Sequence, residues 1–409
     1  MEIRPIVSSL LRNKTGALLI AAQVALSLAI VANALYIIRD RLTLAARPSG
    51  VAEEANVFRI GVQPLTEAST PEAKLAAEQR DEAALRAIPG VVSVALTNQL
   101  PLTRSGWNMS VQLTPGQVQP TANTALYFGT ETLPKTFGLK LVEGRNFNAD
   151  DVQLIDPDKT QELGRVAIVS QALARKLFPE GSAIGKNVYF GGDGGRMFQI
   201  IGVVERLQTP WANAGERGEF STILAARRAE GYSGFAVRTE TGQRDRVMKD
   251  AEAALGRSIP GQMVVGNESM EKDRFNLYRN DRAIAWMLIT VTVLLLLVTA
   301  SGIVGMATLW VNQRRKQIGV RRALGARRFD ILRYFITENL LITTGGIVAG
   351  LLLAVALNQL LVSQLELSKL PLGYLAVGSA VLWLVGVLAV YGPAWRASGI
   401  SPAIATRSA

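Results

Sequence analysis

The chain has no cysteine and no histidine among its 409 residues. Without cysteine there is no disulfide brace and no thiol chemistry. Without histidine the commonest general base and the commonest metal ligand are both missing. A Ser-His-Asp hydrolase, a zinc site built on histidine or cysteine and a histidine-kinase relay are therefore excluded from these residues. Charge is missing too, in four long stretches. Thr15–Ile38 holds 24 residues with no charged side chain and Ala283–Val311 holds 29; Phe335–Val362 contains only Glu338, and Leu370–Tyr391 contains none. A helix needs ~20 apolar residues at ~1.5 Å each to cross ~30 Å of hydrocarbon. Each run meets that length, and the second exceeds it, which implies tilt or a helix that projects beyond the bilayer.

What remains is charged, and unevenly so. Arg39–Arg282 carries 30 basic and 29 acidic residues, a net of +1, while the whole chain stands at +11. The excess lies beside the apolar runs: Arg4, Arg12 and Lys14 before the first, eight basic residues from Arg314 to Arg333 between the second and third, and Arg396 and Arg407 after the fourth. A basic protein of this kind invites a nucleic-acid reading, but the near-neutral soluble region gives nucleic acid nothing to bind. The positive-inside rule places both termini and the 312–334 loop in the cytoplasm. The sequence thus predicts an α-helical membrane protein with four transmembrane helices and a large α+β extracytoplasmic domain of two subdomains. Its parts are a cytoplasmic N-terminus at 1–14, spans at 15–38, 283–311, 335–362 and 370–391, an outer domain at 39–282, a short outer loop at 363–369 and a cytoplasmic tail at 392–409. Ala32-Asn33-Ala34 has the small-x-small form of a signal cleavage site, but the run around it is longer than a signal core, so it reads as a span.

Within the outer domain Val57–Val62, Pro71–Ile88 and Val91–Thr97 read as strand, helix and strand, with Thr70 as helix cap and Pro89-Gly90 as stop. Gly234–Thr239, Asp245–Ile259 and Met263–Val265 repeat that order. The two halves form one split α+β subdomain, 39–124 with 226–282, expected next to the membrane. The insert at 125–225 reads as mostly β. Val166–Phe178 starts as a strand and becomes a helix, and Asn187–Phe190 with Met197–Val204 makes a hairpin closed by Gly191–Gly195, a tip rather than an anion nest. Leu207–Glu219 reads as a polar mobile loop. Gly181-Ser182-Ala183-Ile184-Gly185-Lys186-Asn187 is one residue short of a phosphate loop and has Asn187 where a hydroxyl is needed. It is a turn, and nucleotide hydrolysis falls to another chain.

Gln317–Ala326 forms a short basic helix with Ile318, Arg321, Arg322 and Gly325 on one side and Gly325 as its end. From its charge alone it is either a topogenic cluster against anionic lipid or a docking helix for a cytoplasmic partner. Ser301-x-x-x-Gly305 and Gly346-x-x-x-Gly350 have the spacing of close helix contacts. Gln23 and Asn33 are polar groups inside the first span that need a partner, a neighbouring subunit being one source. Glu338 lies one turn after Tyr334, with Arg333 the nearest basic residue in sequence and lipid headgroups as the alternative partner.

The run Gln317-Ile318-Gly319-Val320-Arg321-Arg322-Ala323-Leu324-Gly325-Ala326 resembles the E-I-G-[IV]-R-[RK]-A-[LI]-G-A signature of FtsX-like permeases, the membrane subunits of MacB-type ABC transporters. Phe137–Arg145, Val166–Lys186 and the closing Pro393-Ala394-Trp395-Arg396-Ala397 with Ser401-Pro402-Ala403 resemble other parts of the family. The resemblance implies a non-catalytic permease with no cofactor or metal of its own. Gln317, Ile318, Gly319, Arg321, Arg322, Ala323, Leu324, Gly325 and Ala326 would receive the stroke of a cytoplasmic ABC ATPase dimer that binds ATP and magnesium. Long helices such as Ala283–Lys316, ~51 Å if straight, would carry that stroke to the outer domain. Only 14 residues precede the first span, so the ATPase is expected on a separate chain. The family's glutamate is Gln317 here, which points to a pairing with a sibling permease as an alternative to a homodimer. Further implied partners are membrane lipid, a periplasmic membrane-fusion adaptor and an outer-membrane channel. The site is the bacterial inner membrane, and the cargo a peptide, drug, toxin or lipoprotein. Some relatives instead signal across the membrane to an outer partner such as a cell-wall hydrolase, and that alternative uses the same helices. A membrane-anchored enzyme is disfavoured, since no paired acids stand out.

Overall fold

The first apolar run folds as one helix, α1 (Lys14–Ala45). The computed structural model describes residues 14–65, 70–156, 165–191, 195–211, 215–228, 232–258, 261–365 and 370–399. It divides into two units, residues 44–280 and a helical unit of 1–43 with 281–409.

In the first of these, β1 (Val57–Pro64), α2 (Pro71–Arg86) and β2 (Val91–Leu96) follow the predicted order. Thr70 caps α2 by accepting the Ala73 N–H on its Oγ1 at 3.2 Å, and Pro71 sits in the first turn, where a missing N–H leaves nothing unpaired. Next come β3 (Asn108–Gln112), β4 (Ala122–Gly129), α3 (Leu133–Phe137), β5 (Leu141–Gly144), β6 (Gln153–Ile155), β7 (Val166–Ser170), α4 (Gln171–Leu177), β8 (Asn187–Phe190), β9 (Arg196–Val204) and β10 (Ser221–Arg228). The unit closes with β11 (Ser233–Thr239), α5 (Arg244–Ser258), β12 (Gln262–Ser269) and α6 (Met270–Leu277).

The two strand-helix-strand halves interleave. β11 lies between β1 and β2, and β1 between β11 and β12, giving one antiparallel sheet ordered β12-β1-β11-β2. Alternation sends Phe58, Ile60 and Val62 of β1 toward Leu85 of α2 and toward Val247, Ala251 and Leu255 of α5. The opposite face, through Val57, Ala95 and Ala236, joins a second core with Tyr127, Ile168 and Ile223.

Those last residues belong to the other sheet, ordered β4-β3-β8-β9-β7-β10-β6, with β5 on β9. β10 also pairs in parallel with β4, Ser221 opposite Ala125, so six strands close into a ring and lose their free edges. Alternate residues, among them Leu126, Phe128, Phe190, Phe198 and Leu224, pack with Leu173 and Leu177 of α4. The ring's strands run from Asn108 to Arg228, wider than the 125–225 insert read from the sequence. β3 is not read there because NMSVQ offers only two apolar residues, Met109 and Val111, and it takes its place by pairing with β4 and β8. The Asn187–Phe190 hairpin forms as read, although residues 192–194 of its tip lie outside the described residues.

One reading is corrected and another holds. Leu207, Gln208 and Thr209, expected in a polar mobile loop, are buried. Their backbone is committed, Gln208 N–H to Ser49 O at 2.7 Å and Thr209 N–H to Gly218 O at 2.9 Å. The Gln208 side chain donates to the buried Tyr278 hydroxyl at 2.6 Å, while the Tyr127 hydroxyl donates to the Gln208 carbonyl at 2.6 Å. The Gly181–Asn187 turn cradles nothing: the Gly185 N–H goes to Ile200 O, the Lys186 N–H to Ala183 O and the Ile184 N–H to Ser182 Oγ.

Ion pairs tie the unit together at two places. Arg227 of β10 reaches Glu78 at 2.6 Å and Glu82 at 2.9 Å, both on α2, and so joins the ring to the first sheet's helix layer. Burial pushes the Glu78 carboxyl up to about 7 against the attraction of Arg227, and the neighbouring Glu82 charge adds to the rise. Arg274 of α6 clasps the beginning of the unit. It holds Glu54 through two nitrogens at 2.8 and 2.6 Å and donates to the carbonyls of Ala45 and Arg47.

The remaining helices are α7 (Arg279–Gln313), α8 (Arg315–Ala323), α9 (Arg328–Leu365) and α10 (Leu372–Ser398). α1, α7, α9 and α10 are long and apolar enough to span a membrane. α7 has 35 residues, about 52 Å of rise. It begins earlier than the predicted Ala283 and stops at Gln313, short of Lys316. α10 carries the predicted Pro393–Ala397 motif as helix, past the expected span end at 391, while Ser401–Ala403 lie outside the described residues.

α1 supplies Val24, Leu28 and Ala32 to a core shared with Ile303 of α7, Ile347 of α9 and Leu382 of α10. Gly346 and Gly350 make the close contact their spacing predicts. A Cβ on Gly346 would stand 2.7 Å from the Ala21 carbonyl of α1, and one on Gly350 would stand 2.9 Å from the Ala25 carbonyl. Polar side chains add to the packing. Ser27 and Thr299 hydroxyls are 2.8 Å apart. Asn33 donates to Ala354 O and accepts from Asn358, so its partner is α9 rather than a neighbouring subunit. A Cβ on Gly302 of α7 would stand 2.6 Å from the Gln23 Oε1, so Gln23 packs against that glycine.

Candidate coupling site between the second and third spans

No acidic residue occurs from Arg314 to Phe329, and seven basic ones do. A helix forms here because Arg315–Ala323 contains no proline and only one glycine, and because its end is satisfied. Gly325 takes φ +95°, its N–H reaches Arg322 O at 3.2 Å, and the Ala326 N–H reaches Arg321 O at 3.1 Å. These two bonds are the Schellman closure, which needs a residue in the left-handed region and favours glycine. The predicted stop at Gly325 is therefore observed. The helix starts at Arg315, earlier than the predicted Gln317.

The expected common face splits. Ile318 and Gly319 are buried, Arg322 and Ala326 are half-buried, and Gln317, Arg321, Ala323, Leu324 and Gly325 are exposed. Ile318 packs with Ile331, Leu332 and Phe335 of α9 and with Ala394 and Ala397 of α10. On the other side Val320 and Leu324 face outward, while Arg321 stays on the Ile318 side with its exposed edge beside them, an apolar surface bordered by positive charge.

A polar network missed by sequence reading fixes this arrangement. Arg314, between α7 and α8, donates from Nη1 to both oxygens of Glu338 at 2.9 and 2.8 Å and to the Tyr334 hydroxyl at 3.2 Å. Glu338 is 1 % exposed, so it is neither a headgroup ligand nor the partner of Arg333, which is exposed. The Arg321 guanidinium lies over the Tyr334 ring, 5.1 Å from its centroid. The available signal was the Tyr334–Glu338 spacing of one turn.

Of the other predicted packing residues, Ser301 and Gly305 are exposed, and a Cβ on Gly305 would meet nothing within 4 Å. Among the described residues no group of three or more acidic side chains is placed to hold a metal ion.

Residues 20–254 match the MacB-like periplasmic core domain, and residues 289–402, which include α8, match the FtsX-like permease C-terminal family. The chain belongs to the MacB-type, FtsX-like permease family. The permease is 26 % identical over 270 residues to the macrolide export ATP-binding/permease protein MacB of Chromobacterium violaceum, covering 65 % of this chain and 40 % of that protein. It is 27 % identical over 297 residues to the pyoverdine export ATP-binding/permease protein PvdT of Pseudomonas syringae pv. syringae, covering 68 % and 42 %. Among solved structures it is similar to the extracellular domain of the noncanonic ABC-type transporter YknZ from Gram-positive bacteria, with 18 % identity, a TM-score of 0.33 and coverage of 51 % of this chain and 100 % of that one. The permease spans less than half the length of the curated relatives it matches.

Proposed function

We propose that this permease couples ATP hydrolysis by a cytoplasmic ABC ATPase dimer to movement of its periplasmic core domain, and that the movement drives export of a peptide, drug, toxin or lipoprotein-like cargo. The observation that carries the reading is α8 itself. It is a short, closed helix whose inner side is anchored on α9 and α10 and whose outer side offers Val320 and Leu324, with the exposed Arg321 at its edge. A cationic, partly apolar ledge of this kind fits an acidic groove on a partner. The two named relatives are export proteins that carry ATP-binding and permease functions together. Here we place ATP and magnesium on a separate ATPase chain, α8 and both termini in the cytoplasm and residues 44–280 in the periplasm. A membrane-fusion adaptor and an outer-membrane channel complete the assembly. Ser301 and Gly305, open on α7, are assigned to contact with a second permease, either a copy or a sibling that retains the glutamate Gln317 replaces.

Replacing Arg321 and Arg322 together by glutamate reverses two charges and shifts the net charge of this helix by four units. ATPase activity measured with the cognate ATPase in lipid nanodiscs is then expected to lose its dependence on the permease, with residues 44–280 still folded by circular dichroism. Unchanged stimulation and unchanged export would remove α8 from the mechanism.

A further inference from the structure

We propose that Glu338 is the buried positioning residue of the coupling helix: acting through Arg314 it locks the start of α8 onto α9, so that a push on α8 is delivered to the third span as well as along α7. The proposal rests on α8 being the coupling helix.

The facing stripes of the two helices are regular. Arg314, Ile318 and Arg321 are four and three residues apart and present one side of α8 and its cap. Ile331, Tyr334, Phe335 and Glu338 present one side of α9. Ile318 fills the middle of this contact with Ile331 and Phe335. The two arginines grip its ends, Arg314 on the Glu338 carboxylate and Arg321 on the Tyr334 ring. Tyr334 touches both arginines and is itself held edge-on by Phe335, with centroids 5.5 Å apart.

Residue 314 is also the break in the helical path. α7 ends at Gln313, and Arg314 takes φ −99° and ψ 10° before α8 begins. An unanchored break would let α8 swing without moving anything else. A buried ion pair is a costly way to gain stability, since apolar side chains of similar volume hold two helices at least as well. What the pair supplies is direction: both carboxylate oxygens converge on one guanidinium nitrogen, which fixes the angle at which α8 leaves α7. Removing one partner strands a charge in a nearly dry site.

The test uses the full permease with its ATPase in nanodiscs. The chain has no cysteine, so Lys316→Cys on α8 and Tyr391→Cys on α10, both exposed, take spin labels without background. The parent protein is expected to give one narrow interlabel distance. Glu338→Gln and Arg314→Gln should each broaden it and reduce permease-stimulated ATPase activity about tenfold or more, the factor set by about 1.4 kcal/mol of lost positioning energy. The exchanged pair, Arg314→Glu with Glu338→Arg, should recover the narrow distance and at least part of the coupling. A narrow distance and intact coupling in Glu338→Gln overturn the proposal, as does an exchanged pair no better than the single variants. Should the single variants not fold, recovery of folding and narrow distance in the exchanged pair supports it, and failure of that pair too overturns it. Loss of coupling in the Arg321→Glu, Arg322→Glu protein alongside a normal Glu338→Gln protein would sink this role while leaving the functional reading intact. Normal coupling in both would sink the functional reading as well.

Discussion

A single carboxyl illustrates how burial decides charge. Glu78 ordinarily titrates near 4.5, and in the folded protein it is pushed up to about 7 by burial, which the attraction of Arg227 only partly offsets, with Glu82 adding a smaller repulsion. Between those values the folded state keeps a proton that the unfolded chain releases, so stability falls as pH rises through that window. The full shift corresponds to on the order of 3 kcal/mol. Glu78→Gln should flatten the slope and still accept from Arg227. Hydrogen exchange of α2 amides in the whole protein, compared at about pH 5 and about pH 8 after correction for intrinsic rates, is expected to show the difference in the parent and not in the variant. Nothing in the sequence around Glu78 announces this, because Arg227, which holds it, is 149 positions away. Glu338 teaches the same lesson. Sequence proximity pointed to Arg333, whereas the fold supplies Arg314 from across the helix break.

Elements were more legible than residues. Apolar run length gave all four spanning helices, and the alternation of strand and helix gave the split halves of the first sheet. Ring closure in the second sheet was not readable, since a parallel contact between β4 and β10 joins segments about a hundred residues apart and leaves no local periodicity. Small-residue spacing was readable as a face but not as a neighbour. Gly346-x-x-x-Gly350 meets α1, while in Ser301-x-x-x-Gly305, with the same spacing, a Cβ on Gly305 would meet nothing within 4 Å among the described residues. That difference makes a prediction about helix packing. In Gly346→Ala the new Cβ would press on a backbone carbonyl that cannot step aside, costing roughly 1–3 kcal/mol. Gly305→Ala should leave the single chain unchanged or slightly more stable, by up to about 1 kcal/mol. Thermal unfolding of the two variants in the same detergent, with the permease monomeric, should separate them in that order.

For the whole molecule, charge asymmetry at the ends of the spans is the most informative feature, and the topology it predicts can be tested by chemistry directly. Val118 and Leu324 are 96 % and 83 % exposed, one in the core domain and one at the end of α8. With no native thiol to confuse the result, a membrane-impermeant maleimide added to cells with a permeabilised outer envelope should modify Val118→Cys and leave Leu324→Cys untouched until the inner membrane is broken. The reverse pattern would invert the protein and with it the functional reading.

The Arg274 clasp has a mechanical meaning. The core domain receives the chain near Ala45 and returns it through α6, and one guanidinium fastens those two threads together. A body hung from two cords knotted at a single point has one handle. Tension on either end of this unit is therefore shared by both at Arg274, and the two threads separate only when that guanidinium lets go.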